Sequence, residues 1–167
     1  MGTVQLVRLG PAIEESIGNH PEFLYALAQN NWARLAELVH SVVGRTLVHA
    51  PVSVNELCWG GYFVIDESTR EVVGSCAFKS APTREGTVEI AYFTYPDFEG
   101  RGYATGMAGK LIELARSSPA VRCVVAHTLP ETNASTRVLE HVGMTFAGEV
   151  LDPEDGRVWR WQMQTGG

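Results

Sequence analysis

The chain has 167 residues, 45% of them apolar and 19% charged, and Lys+Arg 13 against Asp+Glu 19 leaves a formal net charge of −6. This is the composition of one ordinary globular domain; collagen-like, disordered and coiled-coil organisations are excluded, and a core of this size needs no disulfide or structural metal. The acidic balance excludes a protein that tracks a polyphosphate backbone, so no nucleic-acid partner is expected, but one local anion site is compatible with it.

The N-terminal MGTVQLVRLG has neither a basic start nor a long apolar run, so no signal peptide is expected, and Leu6 stands where N-myristoylation requires Ser or Thr. Val4 to Leu9 reads as a short strand. Pro11 to Gly44 is helical territory, with Phe23, Leu24, Leu27, Leu35, Leu38 and Val39 at helical spacing after a start at Asn19 and Pro21. Thr46 to Leu57 carries no clear signal. Three strand-like runs follow, Trp59 to Ile65, Val72 to Lys79 and Thr87 to Tyr95. The turn-rich stretches Asp66 to Arg70 and Ala81 to Gly86 separate them, so an antiparallel meander is predicted. The longest apolar run, Cys58 to Ile65, is far short of the ~18 residues that cross a bilayer, and no membrane partner is expected.

From Gly102 to Arg116 the period becomes helical, with Ala104, Met107, Ala108, Leu111, Leu114 and Ala115 on one face and Ser117-Ser118-Pro119 as the stop. Val121 to Ala126 is a short apolar strand of the kind buried on both faces. A second helix runs from about Asn133 to His141 and ends at Gly143. Met144 to Val150 and Arg157 to Met163 form a hairpin around Asp152-Pro153-Glu154-Asp155-Gly156. Trp159 and Trp161 on the last strand read as sheet packing. The plan is α+β in a single domain over residues 1–167. Cys58, Cys76 and Cys123 are odd in number and widely spaced, which suits buried thiols in a reducing cytoplasm and no metal site.

The most informative stretch is Phe98-Glu99-Gly100-Arg101-Gly102-Tyr103-Ala104-Thr105-Gly106, a glycine-rich turn running from a strand into a helix. Glycines let the backbone approach a ligand, and the first-turn N–H groups with the helix dipole bind anions. A phosphate-binding loop for nucleotide hydrolysis needs a Lys followed by Ser or Thr, which Tyr103-Ala104-Thr105 lacks. A dinucleotide fingerprint needs an acidic residue after the following strand, where His127 stands instead.

Glu99 to Ala104 resembles the Q/R-x-x-G-x-G/A loop of the GCN5-related N-acetyltransferases (GNAT), with Glu99 in place of the first Gln or Arg. Glu89-Ile90-Ala91-Tyr92 resembles that family's central strand. Asn133 to Met144 resembles its N-x-S-x-x-v-l-e-k-x-G-f helix, and the branch resembled is the RimJ/RimL type. The resemblance covers roughly Thr87 to Phe146. It implies a mixed sheet of about 6–7 strands flanked by about 4 helices, and acetyl-CoA as co-substrate. The CoA-binding residues implied are Phe93, Tyr95, Gly100, Arg101, Gly102, Tyr103, Ala104, Thr105 and Asn133. It further implies that the central strand splays from its neighbour, freeing main-chain groups near Phe93 and Tyr95 for the pantetheine arm and the thioester oxygen.

Acyl transfer to an amine needs a base, because alkyl amines titrate near 10.4. Glu89, in an otherwise apolar strand, is the leading candidate and His127 the rival; the alternative for Glu89 is an ion pair with Arg84 or a solvated position. By the resemblance Ser135 protonates the leaving thiolate, while Asn133 caps its helix and contacts the pantetheine arm, and the Phe23 to Val39 helices border the acceptor site. The tyrosine acid of other branches is absent after Met144-Thr145-Phe146. The function implied is N-acetyl transfer to a primary amine, on a small molecule or a protein N-terminus, by direct attack in a ternary complex. The alternative is a non-catalytic acyl-CoA-binding module. The sequence has no interface signature, and a homodimer is compatible with it.

Overall fold

The computed structural model describes residues 3–8 and 59–166. The helical territory from Pro11 to Gly44, the segment Thr46 to Leu57, and Cys58 lie outside the described residues. The elements in chain order are β1 (Val4–Arg8), β2 (Gly61–Asp66), β3 (Val72–Phe78), β4 (Thr87–Thr94), a 3-10 turn (Pro96–Phe98), α1 (Tyr103–Arg116), β5 (Cys123–Thr128), α2 (Ala134–His141), β6 (Thr145–Asp152) and β7 (Gly156–Gln164). The strands make one mixed sheet in the order β1-β2-β3-β4-β5-β7-β6. The α+β expectation and the strand count hold; the described residues contain two of the roughly four expected helices.

β2, β3 and β4 form the expected antiparallel meander, and β1 adds to its outer edge. β4 and β5 are parallel, as they must be when a helix crosses from the end of one strand to the start of the next. β5 lies two residues later than predicted, because Val121 closes a turn onto Ser118 while His127 and Thr128 pair with Arg160 and Trp159 of β7. His127 is therefore inside a strand, not just past one. The β6–β7 hairpin is longer than predicted, since the Asp152 carboxylate accepts from the N–H groups of Glu154 and Asp155 and shortens the turn. α2 ends as expected, with Gly143 at positive φ and the Met144 N–H donating to the Leu139 carbonyl.

Side-chain alternation divides the central strands into two faces. On one, Gly74, Cys76 and Phe78 of β3 stand beside Thr94, Tyr92 and Ile90 of β4. Helix α1 packs there through Met107, Ala108, Leu111, Ile112 and Ala115, all buried. Gly74 permits this approach, since a Cβ there would collide with the Phe93 carbonyl oxygen and the Met107 Cε. α2 shares this face, because its Ser135 meets Tyr92. Ser75 and Ala77 of β3 and Glu89, Ala91 and Phe93 of β4 point to the other face. Trp161 is buried, donates from Nε1 to Thr128 Oγ1 at 3.1 Å, and stacks edge-on with Phe146, as does Trp159, in keeping with sheet packing.

Candidate active site

β4 and β5 pair over only three residues, Thr87, Val88 and Glu89 against Cys123, Val124 and Val125, although β4 continues to Thr94 and β5 to Thr128. Beyond that apex the strands part, and a V-shaped gap opens in the middle of the sheet. The ladder to β3 decides which main-chain groups face it. The Tyr95 N–H donates to the Val73 carbonyl and the Glu89 carbonyl accepts from Lys79, so odd-numbered residues of β4 turn their backbone toward β3. The groups facing the gap belong to Tyr92 and Thr94. The main-chain groups expected near Phe93 and Tyr95 are thus those of their neighbours Tyr92 and Thr94, a distinction of register that sequence cannot supply. The Thr94 hydroxyl is buried and finds no hydrogen-bond partner among the described residues.

At the open end of β4 the glycine-rich turn leads into α1. Gly100 and Gly102 both have positive φ, at 74° and 83°, and Gly102 is the N-cap of α1, with no side chain bonded to the helix end. The N–H groups of Tyr103, Ala104 and Thr105 precede the first intrahelical bond and are free to receive an anion. The loop thus fits a pyrophosphate through its main chain. Arg101, its one cation, is exposed and lies over the Phe98 ring at 5.6 Å.

The side chain of Tyr103 has a different task. It is buried, and its hydroxyl donates to Asp66 Oδ2 at 2.6 Å, while Asp66 Oδ1 accepts from the Ser68 N–H, the Ser68 hydroxyl and the Thr69 N–H. These donors, Ser68 and Tyr103 foremost, hold the buried Asp66 carboxyl far below the usual carboxylate range, and the same bond pushes the Tyr103 phenol up. Asp66 thereby ties the β2–β3 turn to the first turn of α1. A folded-state pKa below the unfolded one stabilises the fold above about pH 4, and that stability disappears as pH falls further toward the folded value. Tyr103→Phe should therefore cost about 1.5–3 kcal/mol at neutral pH, and the difference from wild type should shrink below about pH 4 in denaturant titrations. A cost independent of pH would remove this bond from the account.

Glu89 stands at the apex on the face opposite α1 and α2, and it is not solitary. Its Oε1 accepts from His127 Nδ1 at 2.8 Å and from Lys79 Nζ at 3.1 Å. Its ion partner is thus Lys79 from the end of the adjacent strand rather than Arg84. The contact with Glu89 raises the Lys79 pKa above its ordinary value and keeps the amine charged. The two rival bases are hydrogen-bonded to each other.

On the helix face, the Tyr92 hydroxyl and Ser135 Oγ are 3.0 Å apart. Burial pushes the Tyr92 phenol up, so it remains a neutral donor. Asn133 is the N-cap of α2, its Oδ1 accepting from the Thr136 N–H at 3.0 Å and its own N–H donating to Thr136 Oγ1. The capping task is met, and Nδ2 makes no hydrogen bond among the described residues. Cys76 is buried, which pushes its thiol up to about 12. Tyr92, Lys79 and Asp66 carried no label in the sequence. A phenol in an apolar strand needs a partner for its hydroxyl, and Asp-x-Ser at a strand end favours a side-chain turn; these were the available signals.

The sequence profile of the Acetyltransferase (GNAT) domain matches residues 11–145. The uncharacterized N-acetyltransferase p20 of Bacillus licheniformis is 27% identical over 108 residues, 62% of this chain and 61% of that protein, so the match spans less than two thirds of this relative. Among solved structures, RimL, a ribosomal α-N-protein acetyltransferase in complex with coenzyme A, superposes with a TM-score of 0.64 at 17% identity, covering 97% of this chain and 94% of that one. The ribosomal-protein alanine acetyltransferase of Vibrio fischeri also gives 0.64, at 13% identity over 98% and 92%. These likenesses show a shared fold, and the profile match extends across most of the sequence: the chain belongs to the GNAT acetyltransferase family.

Proposed function

We propose that the chain is an acetyl-CoA-dependent N-acetyltransferase acting on a primary amine, a small molecule or a protein N-terminus, as one cytoplasmic domain. One observation carries this reading: the V-shaped gap runs from the helix-end anion site to an apex flanked by Glu89 and His127 on one face and by Tyr92 and Ser135 on the other. The pyrophosphate would rest on the N–H groups of Tyr103 to Thr105. The pantetheine arm would lie along β4 against the main chain of Tyr92 and Thr94, with Phe93, Tyr95 and Asn133 beside it. An N–H facing the gap can polarise the thioester oxygen, a contribution commonly of about 2.7–4 kcal/mol. The amine would enter from the face carrying Glu89 and attack the carbonyl carbon in a ternary complex. As the C–S bond breaks, the thiolate, with a pKa near 8.5, needs only a weak donor, and Ser135 supplies one. The Tyr92 hydroxyl, 3.0 Å from Ser135 Oγ, orients the serine through a hydrogen bond in which either oxygen can donate.

The test is thiol release from acetyl-CoA with a panel of amines: a polyamine, a single alkyl amine, an amino-acid amide and alanine-terminated peptides. Coenzyme binding is measured alongside. Turnover with at least one acceptor is expected; tight binding with none would favour a binding module. Ser135→Ala should lower kcat by about 10-fold or more with acetyl-CoA affinity nearly unchanged, and Tyr92→Phe by less, if Tyr92 acts only through the serine. A larger loss in Tyr92→Phe than in Ser135→Ala would give the phenol the larger share.

A further inference from the structure

Within that reading, and resting on it, the geometry points to His127 as the group that takes the proton from the acceptor amine, through Nε2, with Glu89 as its positioning residue and Lys79 as the anchor of Glu89. An ionised carboxylate only accepts hydrogen bonds, so the imidazole nitrogen 2.8 Å from Glu89 Oε1 must carry the hydrogen. That fixes the tautomer: Nδ1 is the donor and Nε2 holds the lone pair, on the side of the ring turned away from Glu89. No hydrogen-bond partner of Nε2 is found among the described residues. His127 lies on β5 two residues past the last pair with β4, so it flanks the gap, and its side chain is 16% exposed.

Glu89 itself is poorly placed to be the base. Its Oε1 already accepts from both His127 Nδ1 and Lys79 Nζ, so that oxygen is engaged, whereas Nε2 of His127 is left for the amine. The charged groups around the ring are Lys79 from β3, Glu89 from β4, Asp152 at the end of β6 and Arg160, its pairing partner on β7. They comprise two cations and two anions.

The amine lone pair forms the N–C bond, the C–S bond breaks with its electron pair going to sulfur, and the nitrogen proton passes to Nε2. The thiolate takes a proton from Ser135, and the imidazolium proton returns to the serine through solvent. The products are an amide and coenzyme A thiol, with no protein group left changed.

Two measurements test the dyad. Nitrogen-15 spectra of the histidine rings in the free protein should show His127 protonated on Nδ1, with that preference lost or weakened in Glu89→Gln; an Nε2–H tautomer in the wild type would overturn the proposal. With the best amine of the panel, His127→Gln should lower kcat about 100-fold or more while leaving acetyl-CoA affinity intact, Glu89→Gln should cost less than His127→Gln, and Lys79→Met less again. Unchanged kcat in His127→Gln, or a larger loss in Glu89→Gln than in His127→Gln, would overturn it. If the wild type binds acetyl-CoA but acetylates nothing on the panel, the transfer reading falls and takes the base role with it, whereas a normal wild type with an unaffected His127→Gln removes the dyad alone.

Discussion

Gly102→Glu should abolish acetyl-CoA binding while leaving the protein folded. Two effects combine. Gly102 has φ of 83°, a left-handed conformation that costs a residue with a Cβ about 1–2 kcal/mol. It is also the N-cap of α1, the place where the helix presents its free N–H groups. A carboxylate about 4 Å from a phosphate charge costs roughly a further 4 kcal/mol at the effective dielectric near a protein surface, about a thousand-fold in affinity. The same carboxylate can bond the free N–H groups itself, which removes the vacancy an anion would fill and offsets part of the conformational cost. Calorimetric titration should show no binding at concentrations that saturate the wild type, with a Tm within a few degrees of it. Gly102→Ala separates the two causes: it carries the backbone cost without the charge and should lose about ten-fold. Wild-type affinity in the glutamate variant would remove this loop from the cofactor site.

That loop was legible because its requirement is local. Positive φ at consecutive alternate positions demands glycine, and a helix that begins without a side-chain cap shows it in the residues themselves, Gly100-Arg101-Gly102-Tyr103. The capping role of Asn133 was legible for the same reason, since its partner Thr136 is three residues away. The rest of the site depends on distances along the chain that no local pattern spans. Tyr103 and Asp66 are 37 residues apart, Glu89 and His127 38, and Tyr92 and Ser135 43. Their residue types narrowed the candidates, but only strand order and register join them. The backbone donors show this most clearly. The sequence pointed to the correct strand, yet whether Tyr92 or Phe93 faces the gap depends on which residue of β3 stands opposite, and a shift of one position reverses the answer.

Gly74 is where core packing and site geometry meet, and Gly74→Ala should be the most destabilising single-methyl change among the described strands. The φ of Gly74 is not the difficulty. Its Cβ would enter the space already held by the Phe93 carbonyl oxygen of β4 and by Met107 Cε of α1. Met107 is fully buried, so neither neighbour has open space to move into. Overpacking of this kind costs about 3 kcal/mol, or a fall in Tm of about 6–12 °C for a chain of this size. Combining it with Met107→Ala should recover little, because the more severe contact is with a main-chain oxygen that cannot turn away without breaking the β3–β4 ladder. Full recovery in the double variant would show that the side chain alone is crowded. The ladder gives the change a second consequence. If β4 shifts away from β3 to admit the methyl group, it moves into the gap where Tyr92 and Thr94 present their main chain. Acetyl-CoA affinity should then fall even at temperatures where Gly74→Ala is fully folded. A variant that loses stability but keeps wild-type affinity would mean that α1 yields instead and that the strand, with the gap beside it, stays where it is.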